Sequence, residues 1–232
     1  MDKIKTLYHG SKNIIPKPEY GLGKPYNDYG LAFYCTESDE LAREWAVARD
    51  RDGFVNQYQL DMNNLSVLNL NADDYTILHW LAILLDNRTF DVQSDFGEEA
   101  VAYLRAHFLV DYDRYDVIIG YRADDSYFTF AQDFLNNVIS LRTLSRAMYL
   151  GRLGEQVALK SKRAFSQLVF EGQKTVERMK WYPRKELRDQ RAREEYARLR
   201  AGKWKRGETY IMQIIDEEMK SDDARLRPKF IE

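Results

Sequence analysis

The sequence predicts an α+β fold, in which short strands and helices share a core. Short apolar or β-branched runs are mixed irregularly with amphipathic stretches, so the regular strand-helix-strand repeat of a parallel sheet is missing. The chain also has neither a Walker-type phosphate loop nor the Gly-rich turn of dinucleotide-binding folds. These observations argue against the two commonest nucleotide-binding architectures. The length of 232 residues suits one domain with an extension, or two small domains.

The composition is typical of a soluble globular protein. Apolar residues make up 44% and charged residues 31%, and the net charge of -2 predicts no bulk attraction to nucleic acid. The single cysteine, Cys35, excludes a disulfide framework, cannot form a zinc site with three scattered histidines, and is interpreted as a small core residue. The sequence has no apolar signal core and no run of about 20 apolar residues. We therefore expect a cytoplasmic protein without membrane contact.

The first half of the chain shows a strand, a long loop and then alternating elements. Three prolines and two glycines between residues 11 and 27 resist both helix and central strand, which predicts the loop. Thr36 is the predicted N-cap of the first helix, because four polar or acidic residues follow it. The predicted strands are 4–9, 30–36, 54–62 and 66–70, and the predicted helices are 38–50, 74–86 and 95–109.

The second half contains the clearest strand, the β-branched run at 116–122. Helices are predicted at 127–137 and 140–149, a strand at 156–161, and a helix or loop at 164–172. Beyond residue 174 the chain is rich in Arg, Lys and Glu, is interrupted by Pro183, and ends in an amphipathic stretch at 208–220. We therefore expect a domain at 1–174 and a charged helical extension at 175–232. We interpret the basic run 178–206 as a solvated helix rather than a nucleic-acid surface.

A candidate site arises if the strands at 5–9, 31–35 and 156–161 lie side by side. His9 would then place an imidazole at a strand end, where it can hydrogen-bond a hydroxyl, and Gly10 would let the backbone approach a planar amide. Tyr34 and Trp45, 11 residues later, could form the walls of a slot for a flat ring. Glu155 would add a carboxylate at the start of the late strand.

The stretches LYHGS (7–11) and YGLAFYCTESDELAREWA (29–46) resemble the His-Tyr-Glu class of ADP-ribosyltransferases, which includes diphtheria toxin and the poly(ADP-ribose) polymerases. That class has an aromatic-His-Gly-Ser motif, a Gly-x-Gly-x-Tyr strand, a second aromatic 11 residues after the tyrosine, and a Glu that opens a late strand. The resemblance covers roughly residues 4 to 170. Within this class, the sequence looks most like a bacterial family whose genes often sit beside small partner genes, in a toxin-antitoxin-like arrangement.

The resemblance implies a split mixed β-sheet with flanking helices, and NAD as a substrate. His9 would bind the adenosine ribose, the Gly10 backbone would hold the nicotinamide amide with Ser11 beside it, and Tyr34 and Trp45 would sandwich the nicotinamide ring. Glu155, His9 and Tyr34 would be the catalytic residues, with Glu155 stabilising the positive charge that grows as nicotinamide leaves. The implied activity is transfer of ADP-ribose to a macromolecular acceptor, in the role of a bacterial toxin with a small antitoxin-like partner protein.

Departures from the class, of which Ala32 is the mildest, leave an alternative open, together with the charged segment beyond residue 174. Ala32 replaces a glycine, and Ala42 stands where the polymerases have a serine that binds the amide. A shift of one residue also puts Gln156 rather than Glu155 at the catalytic position, since adjacent strand residues face opposite ways. The alternative is a catalytically silent module that binds NAD or another nucleotide and acts through a protein or nucleic-acid partner.

Overall fold

The architecture is α+β, as the sequence predicts. The computed structural model describes residues 3–90, 92, 94–123, 125–148, 150, 154–201 and 206–227. Its strands are β1 (Ile4–Ser11), β2 (Phe33–Cys35), β3 (Gly53–Asp61), β4 (Val67–Asn69), β5 (Val117–Tyr121), β6 (Glu155–Leu159) and β7 (Leu168–Val176). Its helices are α1 (Asp39–Ala46), α2 (Ile77–Asn87), α3 (Asp95–Phe108), α4 (Asp125–Leu135), α5 (Leu141–Ala147), α6 (Lys162–Ser166), α7 (Arg178–Arg200) and α8 (Ile211–Asp216). Parts of the predicted extension, 202–205 and 228–232, and the last residue of the helix predicted at 140–149 lie outside the described residues.

The strands form two sheets. One is antiparallel in the order β1-β3-β7, and the other has the order β2-β6-β5-β4, with β4 and β5 parallel and the remaining pairs antiparallel. A single bridge joins β1 to the chain after β2, where Tyr8 and Thr36 exchange backbone hydrogen bonds of 2.8 and 2.9 Å. The predicted neighbours β2 and β6 are therefore paired, whereas β1 belongs to the other sheet.

The chain divides into two compact units, each made of three segments. The first comprises Met1–Asn69, Asp111–Arg122 and Leu153–Gln190, and the second comprises Leu70–Val110, Ala123–Arg152 and Arg191–Glu232. Both sheets belong to the first unit. This division differs from the predicted boundary near residue 174, because residues 175–190 group with the sheets.

The first unit holds its main core between the two sheets. The fully buried side chains of Leu7, Cys35, Leu60, Val157 and Leu159 pack together there, which confirms Cys35 as a core residue. On the opposite face of β1, helix α1 and the start of α7 pack through a second apolar cluster. The strand that ends with the His-Gly-Ser motif is therefore covered on both faces.

The second unit is helical in its described part. Helix α2 is buried around most of its circumference, as its apolar sequence predicts, and packs against α3. A capping box closes its N-terminus, because the side chain of Thr76 caps the helix while the Thr76 N–H donates to Nδ1 of His79 at 2.9 Å. The Tyr196 hydroxyl donates to Asp133 at 2.6 Å. Within the described ranges, no helix combines the length and apolar character needed to cross a bilayer.

Three local predictions are wrong. Helix α1 is capped by Ser38, whose side chain accepts from the Leu41 N–H, because the Thr36 backbone is committed to the bridge with β1. The helix or loop predicted at 164–172 is helical up to Ser166, but residues 168–172 belong to strand β7, because that strand pairs with β3 from Gly53 to Leu60 with one register shift. Helix α7 continues through Pro183, because packing of its first turns against α1 outweighs one lost hydrogen bond.

Candidate functional site

His9 lies near the end of β1, on the strand face that carries Leu7. Its Nδ1 is 2.7 Å from the backbone oxygen of Tyr34, and its ring lies 4.5 Å from that of Phe33. Burial lowers the pKa of His9, and this effect exceeds the opposing effect of the hydrogen bond. The imidazole is therefore neutral at pH 7. A carbonyl only accepts, so Nδ1 carries the proton and Nε2 is left as a hydrogen-bond acceptor.

A cavity of about 290 Å³ opens beside His9. Its walls are mainly apolar and aromatic, which suits a small organic ligand more than a metal ion. The loop between β1 and β2 forms one side, and β2, β6 and α6 form the other. The described lining residues are His9, Ile15, Pro18, Glu19, Tyr20, Gly21, Leu22, Gly23, Asn27, Leu31, Ala32, Phe33, Tyr34, Leu159 and Phe165. In the part of the chain that the structure describes, no three His, Cys, Asp or Glu residues are grouped so as to hold a metal ion.

The Tyr34 side chain anchors the end of this loop. Its hydroxyl donates to the Gly30 carbonyl at 2.6 Å and accepts from the Tyr29 N–H at 3.0 Å. The two tyrosine rings lie nearly parallel, with centroids 6.4 Å apart. Tyr29 is fully buried, and its own hydroxyl donates to the Tyr121 carbonyl at 2.6 Å. These contacts fix both the loop and the carbonyl that orients His9.

Gly10, on β1, contacts helix α1, and Trp45 lies within that helix. A Cβ added at Gly10 would be 1.9 Å from the Ala42 carbonyl oxygen, so the helix backbone rests directly on this glycine. The guanidinium of Arg122 stacks over the Trp45 ring at 4.7 Å. Ser11 is bound into a local turn, where its hydroxyl donates to the Asn13 carbonyl at 2.6 Å. The cavity thus brings His9 and Tyr34 together, and its described lining includes none of Gly10, Ser11 and Trp45.

Glu155 and Gln156 have different environments at the start of β6. Glu155 is exposed and pairs with Tyr121, whereas Gln156 is buried and donates from Nε2 to the Asp28 carboxylate at 2.7 Å. Tyr34 lies opposite Ala158 in the antiparallel ladder, and directly opposed residues share a face. Gln156 is therefore on the face of Tyr34. Glu155 is on the other face of β6. It shares that face with the cavity-lining Leu159, which lies about 13 Å from Glu155 along the strand.

Several contributors to the site escaped the sequence analysis. The ring of Phe33 flanks His9, and Phe165 completes the cavity wall. The chain has 16 Tyr and 11 Phe, and this composition alone does not single out Phe33 or Phe165. Asp28 precedes Tyr29 in an Asn-Asp-Tyr-Gly turn, where an acid is ordinarily explained by turn formation. Its partnership with Gln156, 128 residues away, has no local signal.

These features define an α+β protein with two sheets and an apolar cavity next to a neutral histidine. A family model described as a protein of unknown function, DUF3990, matches residues 5–170. The chain therefore belongs to the DUF3990 family, and the matched range runs from β1 into β7. No curated protein and no solved structure gives a significant match.

Proposed function

We propose that the protein cleaves the bond between nicotinamide and ribose in NAD and transfers ADP-ribose to a macromolecule. The observation that carries this proposal is the neutral His9, oriented by the Tyr34 carbonyl with Nε2 as an acceptor, in an aromatic-lined cavity. An acceptor nitrogen among apolar walls suits a ribose hydroxyl next to a flat base. The order of the His-Gly-Ser motif, Tyr34, Trp45 and Glu155 along the chain supports the same activity.

The arrangement of the strands supports an ADP-ribosyltransferase-like fold. Two separate sheets, one of them mixed, fit the split mixed β-sheet that the resemblance implies, and β2 lies next to the strand that Glu155 opens. The close contact between Gly10 and α1 keeps the motif strand against the helix that carries Trp45.

In the proposed reaction, nicotinamide leaves with the electron pair of its bond to the anomeric carbon. Positive charge grows on that carbon and on the ring oxygen, and the carboxylate of Glu155 stabilises it. The acceptor nucleophile then bonds to the same carbon and loses its proton. Water in the place of the acceptor gives free ADP-ribose. His9 holds the adenosine ribose throughout and takes no proton.

A second candidate function is the catalytically silent NAD-binding module. The observation that favours it is the strand register, which puts the uncharged Gln156 on the face of Tyr34 and fixes its amide on Asp28. The Gln156 amide itself lacks the negative charge that the transition state needs. Such a protein would act through a partner, with the cavity as a nucleotide sensor.

The experiment is to incubate the purified chain with NAD and to measure nicotinamide release by chromatography. Glu155→Gln should lower kcat about 100-fold or more, and His9→Asn should raise KM about 10-fold through the lost hydroxyl contact. Glu171→Gln, at an exposed glutamate on β7, is the matched control and should behave like the unaltered protein.

Calorimetry with NAD separates the two functions. Binding without any nicotinamide release supports the silent module, and the absence of binding contradicts both. If NAD turnover depends on Gln156 and not on Glu155, the assignment of Glu155 as the catalytic carboxylate is wrong. The toxin role implied by the resemblance predicts that expression in bacteria arrests growth and that Glu155→Gln relieves the arrest.

A further inference from the structure

We propose that residues 14–31, here called the docking loop, bind a protein acceptor, which makes protein the substrate class of the transfer. The inference rests on the proposed function, since it concerns what receives the ADP-ribose. Twelve large apolar side chains of the described residues are exposed, and five of them lie in these 18 positions. They are Ile14, Tyr20, Leu22, Tyr26 and Leu31. Exposed apolar groups that are contiguous in space mark an interaction surface, whereas scattered ones do not, and three of these five line the same cavity.

The docking loop is continuous with the cavity. Tyr20, Leu22 and Leu31 line the cavity and are also exposed to solvent. Ile14 and Tyr26 are 43% and 62% exposed and stand outside its described lining. A molecule bound to the loop would therefore stand next to NAD held at His9, which is where an acceptor has to be.

The chemistry of the docking loop favours protein over nucleic acid. Its sequence has two lysines and two acids, so its formal charge is zero and it offers little to a phosphate backbone. Ile14, Leu22 and Leu31 have no ring on which a base can stack. The ring of Tyr20 already meets Phe165 edge-on at 5.6 Å. Exposed apolar patches that include tyrosine side chains are instead typical of protein interfaces.

The docking loop is also held in place before any partner arrives. Near its start, the Ile15 N–H donates to Asn56 at 2.7 Å, and the Ile15 carbonyl accepts from Tyr58 at 2.6 Å. Near its end, the Gly30 N–H donates to the Asn27 carbonyl at 2.9 Å. Three prolines restrict the chain between these points. A surface ordered in advance loses less entropy on binding.

The test compares NAD hydrolysis with transfer in a cell extract, using NAD labelled in the ADP-ribose part. The double variant Ile14→Asp/Tyr26→Asp places two charges on the docking loop outside the cavity. It should keep nicotinamide release without extract within about 2-fold, and should lower protein labelling at least 10-fold, about 1.4 kcal/mol of lost binding. The matched control Val169→Asp/Met179→Asp alters side chains that are 58% and 73% exposed elsewhere and should change neither.

The outcomes distinguish this inference from the proposed function. Unchanged labelling by the double variant, a parallel fall in hydrolysis, or label that resists protease and is released by nuclease would each overturn the protein acceptor. Each of those results would still be compatible with NAD cleavage by the unaltered protein, which is the proposed function. If the unaltered protein neither binds nor cleaves NAD, the proposed function fails and takes the acceptor assignment with it.

Discussion

Replacement of Gly10 by alanine should force helix α1 away from strand β1. The added Cβ would lie 1.9 Å from the Ala42 carbonyl oxygen and 2.7 Å from the Ala46 nitrogen. Both are backbone atoms, so no change of rotamer relieves the overlap. An ordinary contact needs about 3.5 Å. The helix must therefore shift by about 1.5 Å, or the strand must distort by a similar amount.

The expected cost follows from what the shift would disrupt. Overpacking costs about 1–3 kcal/mol where side chains can yield. Here a whole helix must move, and it packs against the buried Val55 and Trp181. We therefore expect Gly10→Ala to lower the free energy of unfolding by about 3 kcal/mol. In urea unfolding followed by circular dichroism, this is a fall of about 1–2 M in the midpoint with an unchanged slope.

Two variants test the cause of this loss. At Gly21 an added Cβ would meet nothing within 4 Å, although φ is +90°, so Gly21→Ala should cost only the backbone strain of about 1 kcal/mol. Adding Ala42→Gly to Gly10→Ala should rescue nothing, because the clashing oxygen belongs to the backbone. Stability of Gly10→Ala within about 0.5 kcal/mol of the unaltered protein would refute the close approach of α1 to β1.

Three further predictions concern stability. Gly53→Ala should lower the urea midpoint much as Gly10→Ala does, because its Cβ would lie 2.0 Å from a carbonyl oxygen of α1. Burial lowers the pKa of His79 from 6.5, so its stabilising effect should be complete above pH 6.5 and decline as pH falls below that value. In thermal melts at a series of pH values, His79→Gln should reduce the fall in melting temperature below pH 6.5. An unchanged pH dependence of the melting temperature would show that His79 is not its source. Arg188→Ala should cost about 2–3 kcal/mol in denaturant titrations, because it leaves the largely buried Glu44 without its 2.9 Å ion pair. Glu44→Gln should restore part of that loss, and no recovery would show that the charge is not the cause.

Features that depend on residues close in sequence were predicted, whereas features that depend on residues distant in sequence were not. Periodicity and turn residues depend on local sequence, and they located β1, β3, β5 and the buried helix α2 to within a few residues. Strand β7 was missed because its ladder with β3 joins segments more than 100 residues apart. The capping of α1 was misplaced by two residues for a similar reason, since the bridge that occupies Thr36 comes from β1.

The candidate site shows the same limit. The positions of His9, Gly10 and Tyr34 on strands followed from short motifs, but the partner of each side chain depends on the packing of the sheets. The packing role of Gly10 requires the position of α1, and the role of Gln156 requires the distant Asp28. The local sequence predicts which residue types form the site. Only the strand register in the structure shows which face of its strand each side chain occupies.

That register makes Glu155 and Gln156 experimentally separable. A strand presents adjacent side chains to opposite faces, so β6 offers only one of the two to Tyr34, and the pairing with Ala158 selects Gln156. Glu155 is exposed, whereas Gln156 is buried and holds Asp28 at 2.7 Å. Glu155→Gln should therefore remove NAD turnover with an unchanged melting temperature. Gln156→Ala should lower the free energy of unfolding by about 1–3 kcal/mol and retain turnover while the protein is folded. The reverse pattern would mean that NAD chemistry takes place on the face of Tyr34, and that Glu155 is a surface carboxylate.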